Sequence, residues 1–259
     1  MSDMAALEVR GLDKTFGGLR AISDVSFSVS NRSVTALIGP NGAGKTTLFN
    51  LITNLYIADR GEVLLYGQSL AGRSAREIAA LGLIRTFQSA RIFPGMTALE
   101  NVLAGAHLSV RSSTAAQMLW LPWARREERG LTSLGEAALR FAGLADYRDV
   151  AASELPMGAQ KLLEVMRGFM AGPRLLLLDE PAAGLNDAET AQLAELLRGM
   201  RDGGLTVMVV EHNMSLVMGI ADQVVVLDAG AVVTVGTPGE IGRDQRVVEA
   251  YVGREEDAC

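Results

Sequence analysis

Short apolar blocks separated by polar residues occupy the first third of the chain and predict strands joined by turns. The blocks are bounded by Gly, Asp, Asn and Ser, which favour turns, and they cover residues 6–10, 25–29, 34–38 and 62–66. From about residue 93 to 155 the chain is instead rich in Ala, Leu and Arg with few β-branched residues. This middle stretch predicts a helical insertion.

Strand and helix patterns alternate after residue 155. Strands are predicted at 175–178, 206–210 and 223–227, and helices at 188–200 and 214–221. Such alternation favours a mainly parallel sheet with right-handed crossovers. Capping-box patterns predict four further helix starts, at Ser74/Glu77, Thr97/Glu100, Ser133/Glu136, and Thr237/Glu240 with Pro238 at the first helical position.

A glycine-rich segment separates the strand predicted at 34–38 from a helical pattern at 47–52. It has the spacing G-x-x-x-x-G-K-[ST] in Gly39, Pro40, Asn41, Gly42, Ala43, Gly44, Lys45 and Thr46, followed by Thr47. Backbone N–H groups and the helix dipole point at one place in such a segment, which forms an anion cradle. Lys45 is predicted to lie between the β- and γ-phosphates and Thr46 to bind Mg²⁺. Both flanks favour a nucleoside triphosphate site over a chance glycine turn.

Two carboxylates follow the four consecutive leucines at 175–178. A strand of leucines is buried on both faces, so Asp179 and Glu180 are predicted at its carboxyl end, where open α/β sheets bind ligands. Asp179 is suited to the Mg²⁺ shell and Glu180 to accepting a proton from an attacking water. With the glycine loop present, these roles are favoured over two solvated acids at a strand end.

The composition of the chain argues against several classes of partner and site. The 259 residues are 49% hydrophobic and 21% charged with a net charge of −6 and no long basic run, which argues against nucleic acid. No apolar stretch approaches the ~20 residues that span a bilayer, and the start of the chain lacks the pattern of a signal peptide. A single cysteine, Cys259, and two histidines leave no internal disulfide and no His/Cys zinc cluster.

Motifs in a fixed order resemble those of ABC-transporter ATPase subunits over nearly the whole chain. They are residues 39–46, Gln88 after Thr86 and Phe87, and segments 155–160, 175–180, 184–187 and 211–212. Segments 85–88, 179–186 and 211–214 resemble the larger ATPase subunit of branched-chain amino-acid importers. The resemblance implies one ABC ATPase domain: an α/β P-loop NTPase (RecA-like) core with an antiparallel β subdomain in 1–92 and 156–235, a helical ABC subdomain in 93–155, and a tail in 236–259.

The resemblance also implies roles for single residues, with ATP and Mg²⁺ as cofactors. Phe16 corresponds to an aromatic that stacks on adenine, although a core position at the end of the first strand is the alternative. Gln88 corresponds to the glutamine that meets Mg²⁺ or the attacking water, and His212 to the histidine that contacts the γ-phosphate. Asp187 corresponds to an aspartate at the dimer interface, and helix N-capping explains it almost as well. The implied catalytic set is Glu180, His212 and Gln88, and the metal set is Thr46, Gln88 and Asp179.

The signature motif departs from the family pattern. Pro156 stands at the serine position, Met157 at the first glycine and Ala159 at the following glutamine. Proline removes a hydroxyl and an N–H group, a loss of roughly 1.5–3 kcal/mol, or about 10- to 100-fold in rate if felt in the transition state. Gly158 and the helix dipole remain, so we expect this loop still to approach phosphate.

The resemblance therefore predicts the ATP-hydrolysing subunit of an amino-acid importer at the cytoplasmic face of the inner membrane. Its implied partners are a second ATPase subunit, identical or different, two transmembrane permeases and, indirectly, a periplasmic binding protein. A urea or amide importer and a regulatory subunit that barely turns ATP over are the alternatives. ABC proteins of DNA repair carry long coiled-coil insertions, whereas only 66 residues separate Gln88 from Leu155 here.

Overall fold

Two sheets form the framework of the molecule. The computed structural model describes residues 5–86, 92–108 and 121–252. The first sheet is antiparallel, has the order β2-β1-β4-β5, and consists of β1 (Leu7–Phe16), β2 (Leu19–Val29), β4 (Arg60–Leu65) and β5 (Gln68–Ser69). The predicted strands at 6–10 and 25–29 are thus parts of a longer hairpin.

The second sheet has six strands in the order β10-β9-β3-β8-β7-β6. Its strands are β3 (Val34–Ile38), β6 (Leu83–Arg85), β7 (Leu175–Asp179), β8 (Thr206–Val210), β9 (Gln223–Asp228) and β10 (Ala231–Gly236). All neighbours pair in parallel except β10, which is antiparallel to β9. The predicted α/β class with a mainly parallel sheet is confirmed, and the carboxyl ends of β3, β7 and β8 meet at one edge.

Helices connect the strands and cover the six-stranded sheet. They are α1 (Lys45–Ile52), α2 (Ala75–Ala80), α3 (Ala98–Gly105), α4 (Pro122–Phe141), α5 (Met157–Met170), α6 (Asp187–Asp202), α7 (Met214–Ile220), α8 (Pro238–Ile241) and α9 (Gln245–Val252). α3 packs closely on α5, since a Cβ added to Gly105 would lie 2.0 Å from the carbonyl oxygen of Arg167. The subdomain boundaries after residues 92, 155 and 235 stay a prediction.

Helix starts show where local patterns succeed and fail. Ser74, Thr97 and Thr237 each form the predicted capping box. The prediction at Ser133 is wrong, because this residue lies inside α4, which begins with Pro122 at its first position. The buried face of α4 continues past Ser133 to Ala138 and Leu139, so packing extends the helix through the capping pattern.

Two hydrophobic clusters lie on opposite faces of the six-stranded sheet. Alternate residues of one strand join different clusters: Leu176 and Leu178 join one, Leu175 and Leu177 the other. The second cluster also receives the inner face of the antiparallel sheet and α1. The sheet is therefore central and its edge is held rigidly from both sides. Within the described ranges, no helix combines the length and apolar character needed to cross a bilayer.

Candidate functional site

The glycine loop runs from β3 into α1 and is tightly enclosed. A Cβ added to Gly39 would lie 2.0 Å from the carbonyl oxygen of Leu227, so the loop needs glycine where it passes β9. Gly44 precedes α1 with φ of +100°, and a Cβ there would lie 2.8 Å from the carbonyl oxygen of Ala21. These approaches fix the shape that the spacing predicted.

The remaining residues of the glycine loop differ in their exposure to solvent. Ala43 is buried, and its carbonyl oxygen accepts a 2.9 Å hydrogen bond from the N–H of Gly230. The positions that are open or partly open to solvent are Pro40, Asn41, Gly42, Thr46 and Thr47. The loop therefore presents its outer part and the first turn of α1 to solvent, as an anion site requires.

Lys45 places its ammonium group inside this loop. Nζ donates hydrogen bonds to the carbonyl oxygens of Gly39 at 2.6 Å and Pro40 at 3.0 Å. Burial lowers the pKa of Lys45, and the negative charges of Glu180 and Asp179 oppose that shift. Lys45 comes after β3 and the two carboxylates stand at the end of β7, so they lie at the same carboxyl edge of the sheet although they come from segments more than 130 positions apart.

Asp179 ends β7 and Thr46 lies in the first turn of α1. The Asp179 side chain is 5% exposed and its Oδ2 lies 2.7 Å from Arg85 Nη2. In the described part of the chain, no three His, Cys, Asp or Glu side chains cluster as a metal site. Mg²⁺ bound with a nucleotide needs one or two protein oxygens besides phosphate, so the carboxylate and hydroxyl fit this ion by their chemistry.

Glu180 has a strained backbone directly after β7. Its φ is +48°, a left-handed value that costs a non-glycine residue about 1–3 kcal/mol. The strain is held by hydrogen bonds from the Glu180 N–H to the Val210 carbonyl at 2.9 Å and from the Ala183 N–H to the Glu180 carbonyl at 3.1 Å. Strain of this kind is typical of functional positions, a signal that the sequence did not contain.

Glu211 joins the loops that follow β7 and β8. It is fully buried, and its Oε1 accepts a 2.7 Å hydrogen bond from the N–H of Ala182. Its Oε2 accepts from the N–H groups of His212 at 3.1 Å and Asn213 at 3.3 Å. Burial raises the pKa of Glu211, and the three N–H donors and His212 oppose the rise. In the sequence, Glu211 stands out only as part of a motif with His212, and no local pattern predicts this bridge.

Replacing Glu211 by Ala should lower the free energy of unfolding by about 2–5 kcal/mol, because three N–H groups lose a buried acceptor. Chemical denaturation of the variant measures this loss. Glu195→Ala is the matched control, since the Glu195 carboxylate is exposed and pairs with Arg198 on the same helix. The control should change stability by no more than about 1 kcal/mol. Equal stability of the two variants would contradict the bridge.

Phe16 ends β1 and is 42% exposed, so it does not occupy the core position considered as the alternative. The ring of Tyr56 meets it edge-on with centroids 5.3 Å apart, and Lys14 Nζ lies 5.3 Å from its centroid. An exposed face remains for stacking, and adenine contact stays a prediction. His212 is also exposed and lies two residues after the end of β8, while Gln88 lies outside the described residues.

The signature segment begins α5. Pro156 is the N-cap, and Met157 follows as the first helical residue with 61% exposure. Gly158 is buried, and a Cβ there would lie 2.5 Å from Glu189 Oε1, so a carboxylate lies against this glycine. The approach of this loop to phosphate stays a prediction. The N-cap of α6 is Asn186, with Glu189 completing a capping box, so N-capping by Asp187 is wrong.

A cavity of about 990 Å³ lies beside β6, the edge strand of the six-stranded sheet, and is bordered by α2, α3 and α5. Its wall combines α2 and β6 with α3 and α5, and includes Arg85, Phe93, His107, Glu164 and Arg167. The wall comes from six separate stretches between Thr53 and Ala171, and no local pattern in the sequence joins them, so the sequence does not predict this cavity.

Comparison with known proteins agrees with this geometry. A family model described as ABC transporter matches residues 22–183. The chain is 41% identical to the high-affinity branched-chain amino acid transport ATP-binding protein BraF of Pseudomonas aeruginosa, covering 95% of this chain and 97% of that one. It is 40% identical, with the same coverage, to LivG of Escherichia coli K12, which has the same descriptive name. The crystal structure of the ADP conformation of MJ1267, an ATP-binding cassette of an ABC transporter, superposes with a TM-score of 0.83 at 31% identity, covering 96% and 99% of the chains.

Proposed function

The chain belongs to the ABC transporter family as one of its ATP-binding proteins, and on this premise we propose that it drives an importer of branched-chain amino acids. The observation that carries the catalytic part is that the glycine loop with Lys45 follows β3 while Asp179 and Glu180 stand at the end of β7, at the same carboxyl edge of the parallel sheet. The substrate class rests on the similarity to BraF and LivG, both branched-chain amino acid transport ATP-binding proteins, which match over nearly their whole length.

The residues at the carboxyl edge of the six-stranded sheet have different roles in ATP hydrolysis. Lys45 and the loop N–H groups bind the β- and γ-phosphates and balance their charge. Thr46 and Asp179 would hold Mg²⁺, which supplies further neutralisation of the phosphate oxygens when bound. Glu180 accepts the proton of the attacking water, and His212 contacts the γ-phosphate. Gln88 completes the predicted set and Phe16 stacks on adenine.

Partners supply the remaining parts of the transporter. A second ATPase subunit faces this one across two nucleotides, and two transmembrane permeases carry the amino acid. A periplasmic binding protein selects the substrate, and this chain lies at the cytoplasmic face of the membrane through the permeases. The relatives' description as transport ATP-binding proteins supports this assembly.

Uptake by the assembled transporter tests the proposal. The chain, its permeases, its second ATPase subunit and its binding protein are reconstituted in proteoliposomes that contain ATP, and labelled leucine and urea are supplied outside. We expect ATP-dependent accumulation of leucine. Accumulation of urea alone would assign the chain to a urea importer, and ATP-independent or absent uptake with a folded complex would refute the proposal.

A regulatory role with slow turnover is the second candidate, and the signature segment favours it. Pro156 offers neither hydroxyl nor N–H, and the Glu189 carboxylate lies against Gly158. A phosphate approaching this segment meets a negative charge in place of a donor. The effect concerns only the site that this segment completes, whereas Glu180 belongs to the site built on the glycine loop.

Pro156→Ser should raise hydrolysis at the partner's site about 10- to 100-fold if the chain pairs with a different cassette, because a charge-assisted contact is restored. The measurement uses complexes that also carry Glu180→Gln, so that the partner's site alone turns over. Pro156→Ala is the matched control, since it restores the N–H without a hydroxyl. Equal rates for the Ser and Ala variants would contradict a role for the hydroxyl.

A further inference from the structure

A buried arginine joins the end of β7 to α1. Arg85 is the last residue of β6, and its side chain is 9% exposed. Nη2 donates to Asp179 Oδ2 at 2.7 Å, and Nη1 donates to Asn50 Oδ1 at 2.6 Å. The guanidinium carbon lies 5.5 Å from the ring centroid of Phe49. Three elements thus converge on one side chain.

The geometry suits a rigid clamp. The planar guanidinium offers donors in fixed directions, and two of them reach different partners, so the position of the plane is determined by α1 as well as by Asp179. Thr53 Oγ1 lies 3.4 Å from Nη1 and itself donates to the Phe49 carbonyl at 2.8 Å. The carboxylate of Asp179 cannot rotate without breaking a buried, charge-assisted hydrogen bond.

We propose that Arg85 is a positioning residue that orients Asp179 so that its second carboxylate oxygen serves the metal of the bound nucleotide. The proposal rests on the proposed function, since it concerns the same site. Residues that orient a metal-ligating group change metal affinity by about 10- to 100-fold when they are removed. Without Arg85, the carboxylate of Asp179 is free to turn towards Lys45, on which its charge already acts, and pairing with Lys45 withdraws both side chains from the nucleotide.

Nucleotide binding with and without Mg²⁺ tests this role. The affinity of the full chain for ATP is measured in EDTA and in excess Mg²⁺, and the ratio gives the metal's contribution. Arg85→Gln should reduce that contribution about 10- to 100-fold while metal-free binding changes by less than about twofold. Arg85→Lys, which keeps the charge but cannot reach both partners, should give an intermediate loss.

Two further variants distinguish an effect on the orientation of Asp179 from a general loss of protein stability. Arg148→Gln removes an arginine that also pairs with two acids, Glu136 and Asp149, at the surface, and should leave both affinities unchanged. In an Asp179→Asn background, Arg85→Gln should have no further effect on the metal's contribution, because Arg85 acts through Asp179. This double variant also removes the buried charge pair as a whole, so it serves if the single variant does not fold.

The outcomes are distinct. A tighter metal-dependent affinity in Arg85→Gln would overturn the proposal by showing that Arg85 competes with the metal for Asp179. An equal loss with and without Mg²⁺ would overturn it by showing a purely structural role. Failure of the wild-type chain to bind ATP at all would instead overturn the proposed function.

Discussion

Hydrolysis of ATP by the complex should fall at least about 100-fold at the site built on the glycine loop when Glu180 is replaced by Gln, as expected for loss of a general base. The substitution keeps size and the strained backbone but removes the proton acceptor. ATP affinity should change little, because the phosphates contact the loop and Lys45. Single-turnover hydrolysis and equilibrium binding, measured on the same preparation, separate the two effects.

Glu195→Gln is the matched control for Glu180, since it changes a carboxylate on the exposed face of α6. It should hydrolyse ATP at the unaltered rate. Near-wild-type turnover of Glu180→Gln would remove this residue from the catalytic set. The same replacement in a different partner subunit should reduce hydrolysis less, because the partner's site faces Pro156. Equal losses from the two replacements would end the proposed inequality of the sites.

Binding of ATP should weaken by about 3–4 kcal/mol, or roughly 100- to 1,000-fold, in Lys45→Ala. The ammonium group lies inside the loop and makes charge-assisted hydrogen bonds to phosphate once the nucleotide displaces its contacts with Gly39 and Pro40. Titration with a fluorescent ATP analogue measures the change, and thermal denaturation shows whether the variant is folded.

Lys45→Arg tests whether geometry matters beside charge. The guanidinium is larger and planar, and Lys45 lies buried within the loop, so we expect affinity close to that of the Ala variant. Recovery of wild-type affinity by Arg would show that charge alone is needed. Retention of affinity in Lys45→Ala would show that the nucleotide is bound elsewhere.

Features of the site that depend on consecutive residues could be predicted from the sequence, whereas contacts between residues far apart in the chain could not. The glycine loop, Asp179 and Glu180 were predicted because each depends on a few consecutive residues and a flanking strand. Arg85 and Asp179 are 94 positions apart, and Glu211 and Ala182 are 29 apart, so their contacts depend on strand order. The order β3-β8-β7-β6 is set by packing on both faces of the sheet and has no local signal.

Local patterns were misleading where packing overrides them. The Ser133 pattern resembles a helix start but lies within α4, whose buried face runs through it. The strand β6 has three residues, too few for a periodicity, and it forms because β7 offers it an edge. The carboxylate of Glu189 at Gly158 is equally invisible in the sequence, since α6 reaches α5 only in the folded chain.

The Glu211 bridge constrains motion as well as stability. One buried carboxylate accepts hydrogen bonds from the backbone at Ala182, His212 and Asn213. Displacing the turn after Glu180 therefore strains hydrogen bonds that also hold the turn carrying His212. The two turns, which belong to different loops of the chain, are mechanically coupled through a single side chain.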